Sequence, residues 1–355
     1  MKKLLVVTKT LSINDGQGRY SIELIRRLKN NYRLVVFSFD DAQNREEGVI
    51  YYKLSNLFFS RQFFRELKTA DLVHCFSDYP YCLLPFWFYF FVKKPIFITA
   101  HGTYAVWPLD KTKSRFLLKR AYKKAKKIFC VSKFTQAQIL KRIKLNNTTV
   151  INNGVDYEKF QKPREEKFEI REKIILSVGA LKPRKGYHIS IPAIAEVKKK
   201  YPQVKYYIVG GKPPDIYLEM VKKYGIENNV VFFENISDEK LTDLYYQSDV
   251  FLLPSITEND NDFEGFGLVY LEASACGEPV IGAFGSGAED AVVDGETGIL
   301  VLQSDVQKTA EAILKLLDNP EMAQKMGENG KKRAQQMNWE AQIKKYIEIY
   351  ENTIS

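Results

Sequence analysis

Cysteine, histidine and long apolar runs are all scarce in this 355-residue chain, and each scarcity closes off a class of function. The four cysteines (Cys75, Cys82, Cys130, Cys276) form no C-x-x-C pair, and three histidines are too few to complete a zinc-ligand cluster. A disulfide framework would also need a denser pattern, so the thiols are expected to be reduced and the compartment cytoplasmic. The longest apolar stretch, 79–92, is broken by Pro80 and Pro85. It falls short of the roughly 18–20 residues that span a bilayer, so no integral membrane protein is expected. The opening Met1–Lys9 has a basic start but only a short apolar run, Leu4 to Val7, before Thr8 and Lys9, and reads as a first strand rather than an export signal.

What the chain does have is an ordinary globular composition, 45% apolar and 13% aromatic, which rules out disorder and collagen-like structure. Its length suggests two domains. The net charge of +10 is unevenly spread: residues 1–170 hold 32 Lys/Arg against 15 Asp/Glu, and the remainder holds 21 against 28. Such asymmetry favours two domains with different partners.

Short β-branched runs alternate with helical stretches from end to end. Strands are expected at 3–7, 33–39, 72–76, 95–99, 128–131 and 148–151, then at 174–178, 204–209, 230–233, 250–253, 279–282 and 298–301. Helical spacing joins Ile22, Ile25 and Leu28, and likewise Ile139, Leu140 and Ile143. The alternation implies parallel sheets with crossover helices. The expected division is a first Rossmann-like domain over 1–160, a charged linker over 161–173 containing Pro163, a second Rossmann-like domain over 174–337, and a final helix in 338–355 that folds back on the first domain.

The most informative stretch is Phe263-Glu264-Gly265-Phe266-Gly267-Leu268, which runs into a helix carrying Glu272 and closing at Gly277. Free amides at a helix start, with no Cβ at Gly265 or Gly267 to obstruct approach, suit an anion such as a diphosphate. Glu264 and Glu272 stand at most about 12 Å apart along a helix axis. That suits the two ends of one extended ligand, and not the carboxylate pair of a retaining glycosidase, roughly 5 Å apart. For an isolated pair of glutamates, a surface residue beside an ordinary tight turn is the simpler reading; the surrounding motifs change the balance.

This segment resembles the signature of the family 4 retaining glycosyltransferases with the GT-B fold, in which two Rossmann-like doubly wound α/β domains face each other across a cleft. Ser177-Val178-Gly179-Ala180-Leu181-Lys182-Pro183-Arg184-Lys185-Gly186 is similar to the family's phosphate-binding loop. Gly287-Ala288-Glu289 and 293–301 are similar to its late donor loop and following strand, and Asn153-Gly154-Val155-Asp156 and His101-Gly102 match first-domain features. The resemblance implies a hexose-type sugar moved from a nucleoside-diphosphate sugar to a glycan or lipid-phosphate-linked acceptor, without a metal or other cofactor. It implies Glu264 on the donor-sugar hydroxyls, Lys185 on the diphosphate and His101 approaching the sugar from the opposite domain. Glu272 would bind the ribose, with Gly16, Gly18, Arg184, Gly265, Phe266, Gly267 and Leu268 completing the donor site.

Two departures stand out. Ala180 occupies the place of a family arginine, so one of the two expected phosphate cations is absent, with Arg184 or Lys182 as the candidates to replace it. Glu234 stands where the loop leading to the nucleobase often carries glycine, which leaves the base open. Asp260-Asn261-Asp262 mimics a metal-binding D-x-D but reads as a solvated acidic loop. Gly210-Gly211-Lys212 is followed by prolines and is no P-loop, and Gly16-x-Gly18 lacks a dinucleotide fingerprint's third glycine. A hydrolysing nucleotide-sugar epimerase on the same fold is the enzymatic rival, and a catalytically dead sugar-nucleotide-binding relative is another. A nucleic-acid-binding protein using the basic half is a rival from a different class, but no nucleic-acid motif accompanies the charge, and no nucleic acid is expected as a partner. Nine basic residues crowd 111–127, after the aromatic run 86–91. Either the aromatics form a buried crossover helix beside a solvated lysine face, or both meet an anionic surface at the inner face of the membrane.

Overall fold

The computed structural model of the chain describes residues 1–13, 15–40, 44–55, 60–160, 172–258 and 261–354. They form two compact units, Met1–Asn153 with Trp339–Ser355, and Gly154–Asn338. The first is built on seven parallel strands: β1 (Lys3–Thr8), β2 (Arg33–Ser38), β3 (Ile50–Lys53), β4 (Leu72–Cys75), β5 (Ile96–Ala100), β6 (Lys127–Cys130) and β7 (Thr148–Val150). Their order is β3-β2-β1-β4-β5-β6-β7. The second has six, also parallel: β8 (Ile174–Val178), β9 (Lys205–Gly210), β10 (Val230–Glu234), β11 (Val250–Leu252), β12 (Val280–Ala283) and β13 (Gly298–Val301), ordered β10-β9-β8-β11-β12-β13.

Both sheets are doubly wound, as the alternating pattern predicts. The central strands β1, β4, β8 and β11 are buried almost throughout, because helices cover both faces, and hence they read as unbroken apolar runs. In each sheet the winding reverses beside the first strand, between β1 and β4 and between β8 and β11. Loops leaving the carboxyl ends of those strands diverge there, and ligands of open α/β sheets bind in the resulting crevice.

Strand β3 is absent from the sequence expectations. Ile50-Tyr51-Tyr52-Lys53 lies at the sheet edge with both ends exposed, so neither a buried run nor clean alternation marks it. The helices around residues 20–28 and 136–144 run over Gly16–Leu28 and Lys133–Arg142, with Asp15 and Ser132 capping their first amides. Ile143 is already extended, at φ −151°. The units divide at Asn153–Gly154, ahead of the boundary expected at residue 160. The Val155 amide donates to Met337 O at 3.1 Å, and Phe160 packs edge-on against Tyr245 at 5.8 Å, which ties 154–160 to the second unit. Of the expected linker, 161–171 lies outside the described residues.

The C-terminal helix, Trp339–Ile354, belongs to the first unit. It is joined to the sheet by a buried chain of uncharged groups. Tyr20 OH lies 2.9 Å from Tyr346 OH and 2.8 Å from Thr99 Oγ1, Thr99 Oγ1 lies 2.8 Å from His74 Nε2, and His74 Nδ1 meets Tyr350 OH. Burial pushes the His74 imidazole well below its usual pKa, so the network stays neutral. No helix among the described residues is long and apolar enough to cross a membrane.

The aromatic run is not a buried crossover helix. Its helix is confined to Leu84–Trp87, and Phe90 and Phe91 beyond it are 89% and 72% exposed. The basic stretch does form a helix, Thr112–Lys124, which buries Leu118, Ala121 and Tyr122.

The tyrosine–histidine chain supplies a stability test. Tyr350→Phe leaves His74 Nδ1 buried without its hydroxyl partner, which should cost about 1–3 kcal/mol in urea unfolding. Tyr224→Phe, at a 39% exposed position, should cost less than about 0.5 kcal/mol. Equal costs at the two positions would show that the buried chain does not hold the helix.

Candidate active site

The second unit gathers its charged groups at the β8–β11 reversal. After β8 the chain makes a single turn over Pro183–Lys185 and enters the left-handed region at Gly186, φ +77°. A side chain at Gly186 would run into the Pro254 carbonyl, and Ile256 N donates to Arg184 O at 2.8 Å. The turn is thus fixed to the loop leaving β11. That loop brings Glu264 to Lys185: Nζ to Oε2 is 2.5 Å, with both residues 8% exposed. Arg184 reaches the same carboxylate oxygen at 3.2 Å, and its Nε lies 3.4 Å from Asp262 Oδ1.

Burial raises the Glu264 carboxyl, but Lys185 and then Arg184 outweigh it and hold the pKa below the usual carboxylate value. Burial also lowers the Lys185 ammonium, against the pull of Glu264. Beside Lys185, it is Arg184 that faces Glu264, whereas Lys182 and Ala180 are exposed. Asp260 lies outside the described residues, and Asp262 faces Arg184 rather than open solvent alone.

Glu264 itself precedes the helix, which begins only at Leu268. Gly267 takes the capping position at φ +82°, and no side chain caps the first turn. The helices at Gly16, Arg61, Lys133, Asp238 and Val306 carry an Asp or Ser cap, whereas this start, like that of the helix at Tyr187, carries none. Unmet amides and the helix dipole make it favourable to an anion, by about 0.3–1 kcal/mol from the dipole alone. Gly265 packs beneath Gly287, where a Cβ would strike the Gly265 carbonyl, and Gly287 N donates to Glu264 O at 2.8 Å. Phe266 is buried. Glu272 is buried on the helix and accepts from Tyr245 OH at 2.8 Å. Tyr245 was not singled out by motif, and Asp262 was noted only within an acidic loop read as solvated; both lie outside the segments that carry the resemblance.

The first unit has its own cluster at the β1–β4 reversal. His101 follows β5, and its Nε2 lies 2.6 Å from Phe76 O. A carbonyl can only accept, so Nε2 carries the proton and Nδ1 is left as an acceptor. Burial lowers the His101 pKa to about 4, so the ring is neutral. Tyr20 packs edge-on against it at 4.6 Å. Asp78, directly after β4, is buried, and both its oxygens lie 3.2 Å from His101 N. Burial pushes its pKa well above the carboxylate range. No motif pointed to Asp78; its place after β4 was the available signal. Gly18 must be glycine, since a side chain would strike the Ser12 backbone, whereas Gly16 faces open space. The amides of Gln17 and Gly18 are occupied by Asp15, itself paired with Lys9 at 3.2 Å. This helix start, unlike that at Gly267, is filled from within the unit.

Two family models match the chain: glycosyltransferase family 4 over residues 14–159, and glycosyl transferases group 1 over 158–333. Among curated relatives, a GDP-mannose-dependent alpha-(1-6)-phosphatidylinositol monomannoside mannosyltransferase of Mycolicibacterium smegmatis is 32% identical, over 67% of this chain and 65% of that enzyme. A D-inositol 3-phosphate glycosyltransferase of Corynebacterium aurimucosum is 32% identical, over 59% of this chain and 50% of its own length. The matches thus span between half and two thirds of these relatives. Among solved structures, an Anabaena protein, HepE, captured with UDP and glucose, superposes with a TM-score of 0.83 over 99% of this chain and 100% of that one. At 19% identity this establishes the fold, GT-B.

The neutral imidazole is directly testable. The unfolded chain, with a histidine pKa of about 6.5, binds a proton that folded His101 refuses until about pH 4. Its contribution to stability is therefore present above about pH 6.5 and withdrawn as pH falls toward about 4. The His101 ring resonances should not titrate between about pH 8 and about pH 5. A midpoint near 6.5 would contradict the buried geometry.

Proposed function

From the premise that the chain belongs to the family 4 glycosyltransferases of the GT-B fold, we propose that it is a retaining, metal-independent hexosyltransferase. It would use a nucleoside-diphosphate sugar as donor and a glycan or lipid-linked acceptor. The observation that carries this reading is the convergence of Lys185 and Arg184 on Glu264 beside an uncapped helix start. The carboxylates keep both cations in place before a ligand arrives. An entering diphosphate takes over the cations, releasing Glu264 to accept from sugar hydroxyls. As the sugar–phosphate bond breaks, negative charge gathers on the leaving diphosphate, and Lys185, Arg184 and the Gly267–Leu268 amides stabilise it without a metal. Glu272, oriented by Tyr245, is assigned to the ribose. His101 is assigned to the sugar, with Nδ1 as acceptor.

The name of the Mycolicibacterium relative and a further HepE structure, captured with UDP-glucose, make GDP-mannose and UDP-glucose the first donors to try. Anomeric configuration of the product, read by NMR, tests retention. Release of nucleoside diphosphate only with an acceptor distinguishes transfer from the hydrolysing epimerase, which turns over nucleotide sugar alone.

The exposed Trp87, Phe90 and Phe91, and Phe116 on the basic Thr112–Lys124 helix, support a cytoplasmic enzyme docked peripherally on an anionic membrane, where a lipid-linked acceptor would lie. Basic residues near such a surface contribute about 1 kcal/mol each. Sedimentation with anionic vesicles should fall with added salt and with Lys119→Gln/Arg120→Gln, and absence of any binding at low salt would reject this docking.

The site residues make separable kinetic predictions. Glu264→Gln should lower kcat by about 100-fold or more with little change in donor affinity. Glu272→Gln should instead weaken donor binding by about 1–3 kcal/mol. Arg184→Ala should be nearly as severe as Lys185→Ala, and Lys182→Ala mild. Activity should survive EDTA. Near-wild-type kinetics at both Glu264 and Glu272 would remove the site assignment.

A further inference from the structure

The amino-terminal edge of the first sheet carries an open pocket of about 460 Å³, at the opposite end of the strands from His101. It lies where β5 and β6 begin and where the Thr112–Lys124 helix ends. Lys93, Lys94, Lys123, Lys124 and Lys126 line it, together with Asn147, and no Asp or Glu does. None of the five lysines has a carboxylate partner among the described residues, although ion pairs hold lysines elsewhere in the unit, such as Lys3 with Glu66 at 2.7 Å.

Five ammoniums around one opening repel one another, and a concave wall focuses their field. A helix carboxyl end would ordinarily oppose an anion. Here two of the end carbonyls and the one that follows are already engaged: Asn147 Nδ2 donates to Tyr122 O at 2.8 Å and to Ala125 O at 2.7 Å, and Ala125 N donates to Ala121 O. Lys124 Nζ lies 5.1 Å from the centre of the Tyr89 ring, which also lines the pocket.

We propose that this pocket binds a phosphate-type anion, a phosphomonoester or diphosphate group, at a site separate from the donor site. The group can belong to a lipid headgroup or to a free phosphorylated molecule; the recognising chemistry is the same. The proposal rests on the pocket's own geometry and not on the membrane reading, so the two can fail separately.

The test uses the full-length protein, the Lys94→Gln/Lys126→Gln variant of the pocket, and the Lys119→Gln/Arg120→Gln variant of the neighbouring helix. Calorimetric titration with pyrophosphate at low salt should reveal a binding component that weakens at least about tenfold in the first variant and is unchanged in the second. Any pyrophosphate held at Lys185 contributes equally to all three proteins, so the difference isolates the pocket. Vesicles of phosphatidic acid and of phosphatidylglycerol, matched in surface charge, distinguish the sources. A preference for phosphatidic acid that the Lys94/Lys126 variant abolishes assigns a lipid headgroup. A pyrophosphate difference without that preference assigns a free phosphorylated molecule. Identical pyrophosphate isotherms for wild type and the Lys94/Lys126 variant, with equal sedimentation on both lipids, would overturn the pocket. In that case, continued dependence of sedimentation on Lys119 and Arg120 would still uphold the membrane reading.

Discussion

A buried carboxylate facing two cations, Glu264 with Lys185 and Arg184, is the constraint on which the rest of the second unit depends. Taking these charges out of water costs several kcal/mol per ion, and their mutual attraction offsets that only in good geometry. The geometry comes from backbone that tolerates no alternative: the left-handed Gly186 set against Pro254, Gly287 against Gly265, and Gly267 in place of a cap. A pair so placed is weak evidence for stability and strong evidence for a use. The cations are already aligned and partly desolvated, so a ligand that replaces the carboxylates as their partner pays little to organise them.

The two units repeat one winding pattern and diverge at the corresponding place. Each puts polar groups at the reversal of strand order, where loops leave the carboxyl ends of the strands. In the second unit the helix start there is bare and flanked by cations; in the first, Asp15 fills the helix start and the neighbouring groups, His101 and Asp78, are uncharged or driven that way by burial. The difference fits anion binding by the second unit and hydrogen bonding to neutral hydroxyls by the first. A second contrast lies within the first unit, where His101 and Asp78 sit at one end of the sheet and a lysine cluster, with no carboxylate partner among the described residues, sits at the other.

Twelve of the thirteen strands among the described residues lie where the sequence placed them, and the central ones were legible because parallel strands buried on both faces leave continuous apolar runs. β3 was not, being a half-exposed edge strand of two tyrosines between isoleucine and lysine. Lys185, Glu264 and Glu272 were legible as a motif, and the structure places the first two in contact. Other features depended on three-dimensional arrangement. Whether Arg184 or Lys182 joined Lys185 turned on a one-turn helix, Tyr245 meets Glu272 from a different helix, and Asp78 approaches His101 from a neighbouring strand. The aromatic run misled for a related reason: composition cannot distinguish a buried helix from a short helix followed by exposed rings, and Phe90 and Phe91 proved to be the latter.

The central claim is that Lys185, Arg184 and the bare helix start form a seat for a diphosphate, and the most direct measurement compares ligands that differ by one phosphate. Calorimetric titration of the protein with GDP and GMP, and with UDP and UDP's monophosphate counterpart UMP, should show for one base a preference for the diphosphate of at least about tenfold, or 1.4 kcal/mol. That preference should collapse in Lys185→Ala while the monophosphate affinity is retained. Equal affinity for mono- and diphosphate with both bases, or a preference that survives loss of Lys185, would contradict the account.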